Sequence, residues 1–372
     1  MDPQPINNEQ QGIDNNNPNN AQPEEDITTN LGAFSARYHI YRPHRVMGKG
    51  AFGKVYRARD MRGEGTDVAI KEFRNRNAYH LHSFIQELTI LVRIGRHNDN
   101  EGRVNNFTVP LLDFHHNPQT LKRSYLVLGL MGETLGDEVE RRANSPQRFL
   151  LDKICSFGLQ IASGLQFLEG LNIIHADLKP KNIIFTDANC EHLRIIDFGH
   201  SFERGNGIQH HLQTPAYRAM EMFLELGSYT NAIDIWSFGC ILAFMSCATG
   251  LFLASRYGGD KKFVHQIVRT LGMPPPGMLT TDVCYRYFKQ RRNGQWVKKQ
   301  SLCERIFEPR SLNIRQFLHR HKQQTQSDES QEYEWFVQLI EQTLVYDVNT
   351  RINIANIIGH NFFRYPPAPR QP

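Results

Sequence analysis

The chain has 372 residues, 40% of them hydrophobic, and a formal net charge of +5. That length and apolar content suit one large domain or two lobes and exclude a wholly disordered protein. Residues 1–30 carry six acidic groups and no Lys or Arg, leaving 43 basic against 32 acidic residues beyond them; this excess of +11 is spread out and selects no partner by itself.

Six cysteines are scattered without a Cys-x-x-Cys pair or a His at zinc-ligand spacing, which fits reduced thiols of an intracellular protein, in nucleus or cytoplasm. The N-terminus lacks a basic region followed by an apolar run, so no signal peptide is expected. The most apolar stretch, Ile233 to Phe252, holds Asp234, Ser237 and two glycines; it reads as a buried helix, and no membrane association is expected.

In chain order, the Asn/Gln/Pro-rich residues 1–37 offer little to bury and are expected to be a disordered tail. Short alternating runs then predict strands at Tyr38–Met47, Lys54–Arg59 and Asp67–Phe73. Gly48-Lys49-Gly50-Ala51-Phe52-Gly53 lies between the first two. The same pattern marks dinucleotide folds, but there it opens a helix; here a strand follows, which fits a flexible hairpin over nucleotide phosphates.

Lys71 sits at the expected end of the third strand. A helix over 78–94 carries Phe84, Leu88, Leu91 and Val92 on one stripe, with Glu87 in its middle. A strand Lys and a helix Glu so placed can form an ion pair that fixes the lysine on phosphates. A polar loop at 96–106 precedes strands at Val109–His115 and Ser124–Gly129, completing a five-stranded antiparallel sheet; Leu128–Gly132 is the connection to a second lobe.

Beyond it the periodicity turns helical. Leu151, Ile154, Phe157, Ile161, Leu165 and Leu168 predict a core helix ending at Gly170. The stretch His175-Ala176-Asp177-Leu178-Lys179-Pro180-Lys181-Asn182 follows, and strands at Ile183–Phe185 and Leu193–Ile196 bring Asn182 beside Asp197-Phe198-Gly199. Two aspartates, a lysine and an asparagine in this arrangement suit phosphoryl transfer from a magnesium-bound triphosphate: one carboxylate orients the attacking hydroxyl, another with an amide oxygen holds the metal, and a cation offsets developing charge. The C-terminal third reads as helices Asp234–Met245, Lys261–Leu271, Tyr333–Val345 and Ile352–Gly359, with an irregular insert over about 273–330.

Taken together, these motifs from Tyr38 to Arg364 resemble a eukaryotic protein kinase. His175–Pro180 with Tyr217-Arg218-Ala219-Met220-Glu221 is most similar to the homeodomain-interacting and dual-specificity tyrosine-regulated kinases. The resemblance implies an α+β, two-lobed kinase fold, with an N-lobe at 38–131 holding the five-stranded sheet and one helix, a mainly helical C-lobe at 132–364, and a Pro-rich tail at 365–372. It implies ATP and Mg2+ as substrate and cofactor, and Ser/Thr hydroxyls of protein substrates as acceptors. Asp177 would be the catalytic base, Lys179 would neutralise the γ-phosphate, and Thr214 would hydrogen-bond both. Asn182 and Asp197 would hold the metal. Met47, Gly48, Lys49, Gly50, Ala51, Phe52, Gly53 and Lys54 would cover the nucleotide, Val55, Ala69 and Ile184 would sandwich adenine, and Lys71 paired with Glu87 would position the phosphates. Asp234 would anchor the backbone around His175, and Glu221 would pair with Arg351.

Several positions depart from that pattern. Ala176 stands where most kinases carry an Arg that binds a phosphorylated segment, His211 where related kinases carry the phosphorylated Tyr, and Pro215 where they carry an Arg that receives it. An active kinase that needs no tyrosine phosphate in this segment is expected, with His211 or packing holding it; the alternative is a pseudokinase scaffold. Lys181 in place of an acidic residue predicts no preference for Arg before the acceptor. Within the insert, the basic and aromatic run 286–299 lacks acids and suits an acidic partner, although such runs are more often a solvated face with inward aromatics; nucleic acid is not the expected ligand.

Overall fold

A computed structural model of the chain describes residues 33–41, 46–49, 53–62, 65–74, 78–101, 106–116, 123–143, 149–205, 212–252, 259–299, 312–321 and 330–367. The expected tail is folded at its end: helix α1 (Ala33–Arg37) sets Phe34 against Tyr38, His115 and Tyr125, and the Arg37 guanidinium between Asp60 and Asp113. One aromatic and one doubly paired arginine hold this short helix on the sheet.

The single strand expected over Tyr38–Met47 is two, β1 (Tyr38–Ile40) and β2 (Val46–Lys49), each paired antiparallel with a different part of β3 (Gly53–Asp60). Pro43, which cannot donate to a ladder, falls between them. With β4 (Thr66–Arg74), β5 (Leu111–His116) and β6 (Arg123–Gly129) they form a six-stranded antiparallel sheet of order β1-β3-β4-β6-β5, with β2 also on β3, in place of the expected five strands. Lys71 lies inside β4, not at its end. Alternation sorts the faces: Val68 and Ile70 join Tyr38, Ile40, Tyr56, Tyr125 and Val127 in one cluster, while Phe73 and Leu126 join the main core on the other side.

Between β4 and β5, helix α2 (Ala78–Glu101) runs past its expected end, so residues 96–101 are helical instead of loop. His97 packs edge-on against Phe167, which extends the helix through residues of modest propensity.

The second lobe is built from α3 (Leu135–Arg142), α4 (Leu151–Gly170), the short strands β7 (Ile173–Ile174), β8 (Ile183–Phe185), β9 (Leu193–Ile195) and β10 (Phe202–Glu203), then α5 (Met220–Phe223), α6 (Ala232–Cys247) and α7 (Gly259–Leu271). The insert, expected to be irregular, contains a hairpin of β11 (Phe288–Gln290) and β12 (Trp296–Lys298). Helices α8 (Ile314–His321), α9 (Gln331–Thr343), α10 (Ile354–Ile358) and α11 (Asn361–Arg364) complete the chain. None of the described helices is long and apolar enough to cross a membrane.

Helix α6 is almost wholly buried and packs against α4 and α9. Its approach to α9 depends on Gly239, where a Cβ would lie 1.9 Å from Thr343 Oγ1. Thr343 is itself buried and bonded to the Ile340 carbonyl, so it cannot turn away. Gly239→Ala should therefore lower stability by about 1–3 kcal/mol through overpacking, outweighing the ~1 kcal/mol that alanine gains in helix propensity; a chemical denaturation midpoint at or above that of the unaltered protein would refute this.

Candidate active site

The backbone from β7 into the stretch 175–182 is fixed by α6. Asp234 accepts the N–H groups of His175 at 2.7 Å and Ala176 at 2.9 Å. Burial raises the Asp234 carboxyl above its ordinary value, against the pull of His175 and these two donors. The ring of His175 accepts the Asp177 N–H through Nδ1; Nε2 is therefore the donor to the Ile196 carbonyl, 3.0 Å away. One imidazole thus ties the two halves of the site, and Phe198 stacks edge-on against it.

Asp177 is the hub. Its Oδ1 accepts both the N–H and the hydroxyl of Thr214 at 2.8 Å, while Oδ2 meets Lys179 Nζ at 2.5 Å, and Lys179 also donates to Thr214 Oγ1 at 3.1 Å. Asn182 Nδ2 donates to the Asp177 carbonyl at 2.9 Å. That donation fixes which end of the amide is used, so the oxygen of Asn182 is the end left to a cation. The Asn182 carbonyl accepts the Ile196 N–H, and the β8–β9 pairing sets Ile183 opposite Ile195; these contacts bring Asn182 and Asp197 to one place.

From the small lobe, Lys71 Nζ contacts Glu87 Oε2 at 2.7 Å and Asp197 Oδ1 at 2.6 Å. Burial and the nearby Asp197 charge push Glu87 up to about 7. For Asp197 burial acts upward as well, but the Lys71 ammonium prevails and holds it well below the usual carboxylate range. Asp177, Asp197 and Glu87 against Lys71 and Lys179 leave three carboxylates facing two ammonium groups. An ionised Asp197 with an amide oxygen beside it is the hard-oxygen donor set that Mg2+ prefers, so the residues fit the metal.

Met47, Gly48 and Lys49 lie on β2, and Gly53, Lys54 and Val55 on β3; Gly50, Ala51 and Phe52 lie outside the described residues. A Cβ on Gly53 would fall 1.6 Å from the Glu72 carbonyl oxygen, so β3 can cross β4 there only without a side chain. Val55 pairs with Lys71, Ala69 is buried on β4, and Ile184 on β8 bridges Thr134, the residue before α3.

Three non-glycine residues of the site, Ala176, Asp197 and Gln213, have φ of +59°, +67° and +61°. This conformation carries about 1–2 kcal/mol of strain each, which persists where the surroundings over-determine it. Gln213 illustrates how. Its N–H donates to the Ala176 carbonyl, its amide reaches the Ile233 carbonyl, Ser237 Oγ and the Ala219 N–H, and its own carbonyl takes two donors from Arg218. Arg218, nearly buried, also pairs with Asp260 of α7 at 2.9 Å. Helix α2 reaches the same segment: Gln86 donates to the Ser201 carbonyl at 2.5 Å and Arg93 pairs with Glu203.

Sequence reasoning missed Gln213, Asp260, Gln86 and Arg93, and also His200, whose Nδ1 lies 3.7 Å from Asp177 Oδ2. These residues sit in no motif: Gln86 and Arg93 lie on α2 and Asp260 on α7, and Gln213 takes a left-handed backbone at an ordinary residue type, for which composition gives no signal. His211 lies outside the described residues. Further down, Glu221 meets Arg351 in a two-pronged pair at 2.7 and 3.0 Å.

Comparison with known proteins agrees with this geometry. The chain matches the protein kinase domain family over residues 41–363. It is 30% identical over 341 residues to the serine/threonine-protein kinase ppk5 of Schizosaccharomyces pombe, covering 91% of this chain and 38% of that protein. It is 33% identical over 258 residues to dual specificity tyrosine-phosphorylation-regulated kinase 2 of Drosophila melanogaster, with 69% and 33% covered. It is 32% identical over 254 residues to homeodomain-interacting protein kinase 1 of Caenorhabditis elegans, with 67% and 28% covered. The last two bear out the expected branch, and the chain spans about a third of the length of these relatives. With the family matched along most of the sequence and the two-lobed α+β architecture around it, the chain belongs to the protein kinase family.

Proposed function

We propose that this chain is an ATP-dependent protein kinase that transfers the γ-phosphate to Ser or Thr hydroxyls of intracellular protein substrates. The observation that carries the reading is the Asp177 carboxylate, held by Thr214 on one oxygen and Lys179 on the other, in a cleft that Lys71 and Glu87 close from the small lobe. Asp177 orients the acceptor hydroxyl and takes its proton as the oxygen attacks phosphorus. Lys179 offsets the charge that develops on the transferred group, and Lys71, kept rigid by Glu87, positions the α- and β-phosphates. Residues 47–55 cover the nucleotide, and Val55, Ala69 and Ile184 flank its base. Asn182 and Asp197 would hold Mg2+, which when bound supplies positive charge to the phosphates. The test is phosphate transfer from ATP to a protein or peptide library, with Asp177→Asn as the control; equal background in both proteins would favour the scaffold reading.

The reading extends to control. The Gln213 network, the Arg218–Asp260 pair and the Gln86 and Arg93 contacts support a segment held by internal hydrogen bonds, not by a phosphate. Ser201 is fully buried, with its hydroxyl donated to the His175 carbonyl, and suits no kinase as an acceptor in this state. Protein made in bacteria is expected to be active while mass spectrometry finds Ser201, Thr214 and Tyr217 unmodified. Activity that appears only with a phosphate on one of them would sink this part of the proposal.

A further inference from the structure

The base of the β11–β12 hairpin is fastened to the segment that carries Thr214. Arg218 lies over the Phe223 ring at 4.9 Å, and the Tyr287 ring meets Phe223 edge-on at 6.5 Å. Thr281 donates to the Leu224 carbonyl at 2.7 Å, and Arg286 pairs with Glu225 at 3.0 Å. The hairpin is therefore an outward extension of the wall of the cleft.

Its charges are not all spent internally. Arg286 is taken by Glu225, and Lys299 donates to the Tyr285 carbonyl. Lys289, Arg291 and Arg292 are exposed; Arg291 donates to the neutral side chain of Gln295, and among the described residues no carboxylate compensates the three charges. No Asp or Glu occurs from Val283 to Cys303. Most aromatics of the run are engaged: Tyr287 and Phe288 are buried, and Tyr285, 48% exposed, leans on Trp296 with ring centroids 5.2 Å apart. Stacked bases need open ring faces; this surface offers point charges on a short ribbon, which matches carboxylates better.

We infer that the β11–β12 hairpin is a docking surface for an acidic segment of the protein substrate, lying outside the residues that occupy the cleft. The inference rests on the kinase reading, since it takes the molecule already held at Asp177 as the one that reaches the hairpin. A segment tethered in that way meets the hairpin at high effective concentration, so weak exposed pairs suffice.

The experiment compares a short acceptor peptide with versions carrying a Glu-rich extension on either side, using the full chain and the triple variant Lys289→Gln, Arg291→Gln, Arg292→Gln. At least one acidic extension is expected to lower KM about five- to tenfold in the unaltered protein, at roughly a factor of two per pair. High salt and the triple variant should both abolish that gain, and kcat on the short peptide should not change. The proposal is overturned if neither acidic extension improves on a Gln-rich one, or if the triple variant keeps the gain. Binding of a labelled single-stranded oligonucleotide that the triple variant loses, without any gain from acidic extension, also overturns it. If neither protein transfers phosphate at all, the kinase reading fails separately; fluorescence anisotropy of the labelled Glu-rich peptide, without ATP, then decides whether the hairpin binds it.

Discussion

In the Asp177→Asn protein, turnover is expected to fall by roughly 10²–10⁴, the usual contribution of a positioned general base. The substitution is nearly isosteric, and either orientation of the amide keeps an oxygen toward Thr214 or toward Lys179. With the oxygen on Thr214, the amide N–H groups face Lys179, whose nitrogen now lies 2.5 Å from Oδ2, so Lys179 must shift. Lys71, Glu87 and Asp197 are untouched, and their contacts are independent of residue 177. Nucleotide affinity should therefore stay within about threefold while the chemical step collapses. Single-turnover phosphate transfer and a fluorescence titration with ATP separate the two quantities. A comparable loss in both would mean that residue 177 supports the fold of the cleft and not the reaction.

Arg351→Ala is expected to lower stability by about 3–5 kcal/mol, the range for removing one partner of a buried pair. The Arg351 side chain has no exposed surface and that of Glu221 is 5% exposed, so the carboxylate left behind could not find water. The guanidinium also donates to the carbonyls of Val345 and Ala232 and lies over the Trp236 ring at 5.2 Å. Its loss therefore releases α6, α5 and the turn after α9 together. Against a typical net stability of about 5–15 kcal/mol, that is a large fraction. Denaturant unfolding followed by far-UV circular dichroism checks it. Arg351→Lys keeps the charge but not the fork and should fall between the two; equal midpoints for all three proteins would remove the pair from any structural role.

The parts of this molecule that could be read in advance are those in which a periodic element carries the information. Helix α4 begins and ends at Leu151 and Gly170 as its three- and four-residue spacing predicts. Lys71 and Glu87 each follow from an element with known facing, so their pairing was foreseeable even though Lys71 proved to be inside its strand. The Glu221–Arg351 contact, 130 residues apart, came from resemblance alone, because no local pattern connects those positions. What could not be read lies in turns. Gln213 reaches the site through a left-handed backbone that its residue type does not advertise, His200 follows the left-handed Asp197, and Asp260 arrives on the first turn of α7. The hairpin in the insert is two strands of three residues each, too short for alternation to register. Helix α1 depends on Phe34 and Arg37 meeting partners some 80 residues away.

Ala176 bears on how such a protein can change over generations. Its side chain is fully buried on a left-handed backbone, and its carbonyl is taken by Gln213. An arginine introduced there would have to desolvate a charge in a space now filled by a methyl group, with no phosphate to receive it. A tyrosine at 211 or an arginine at 215, arriving alone, would gain nothing from residue 176 as it stands. The three positions are profitable only in company, and the first step toward that company is unfavourable. Any stepwise route from Ala176 to an arginine at that position therefore passes through a less stable intermediate.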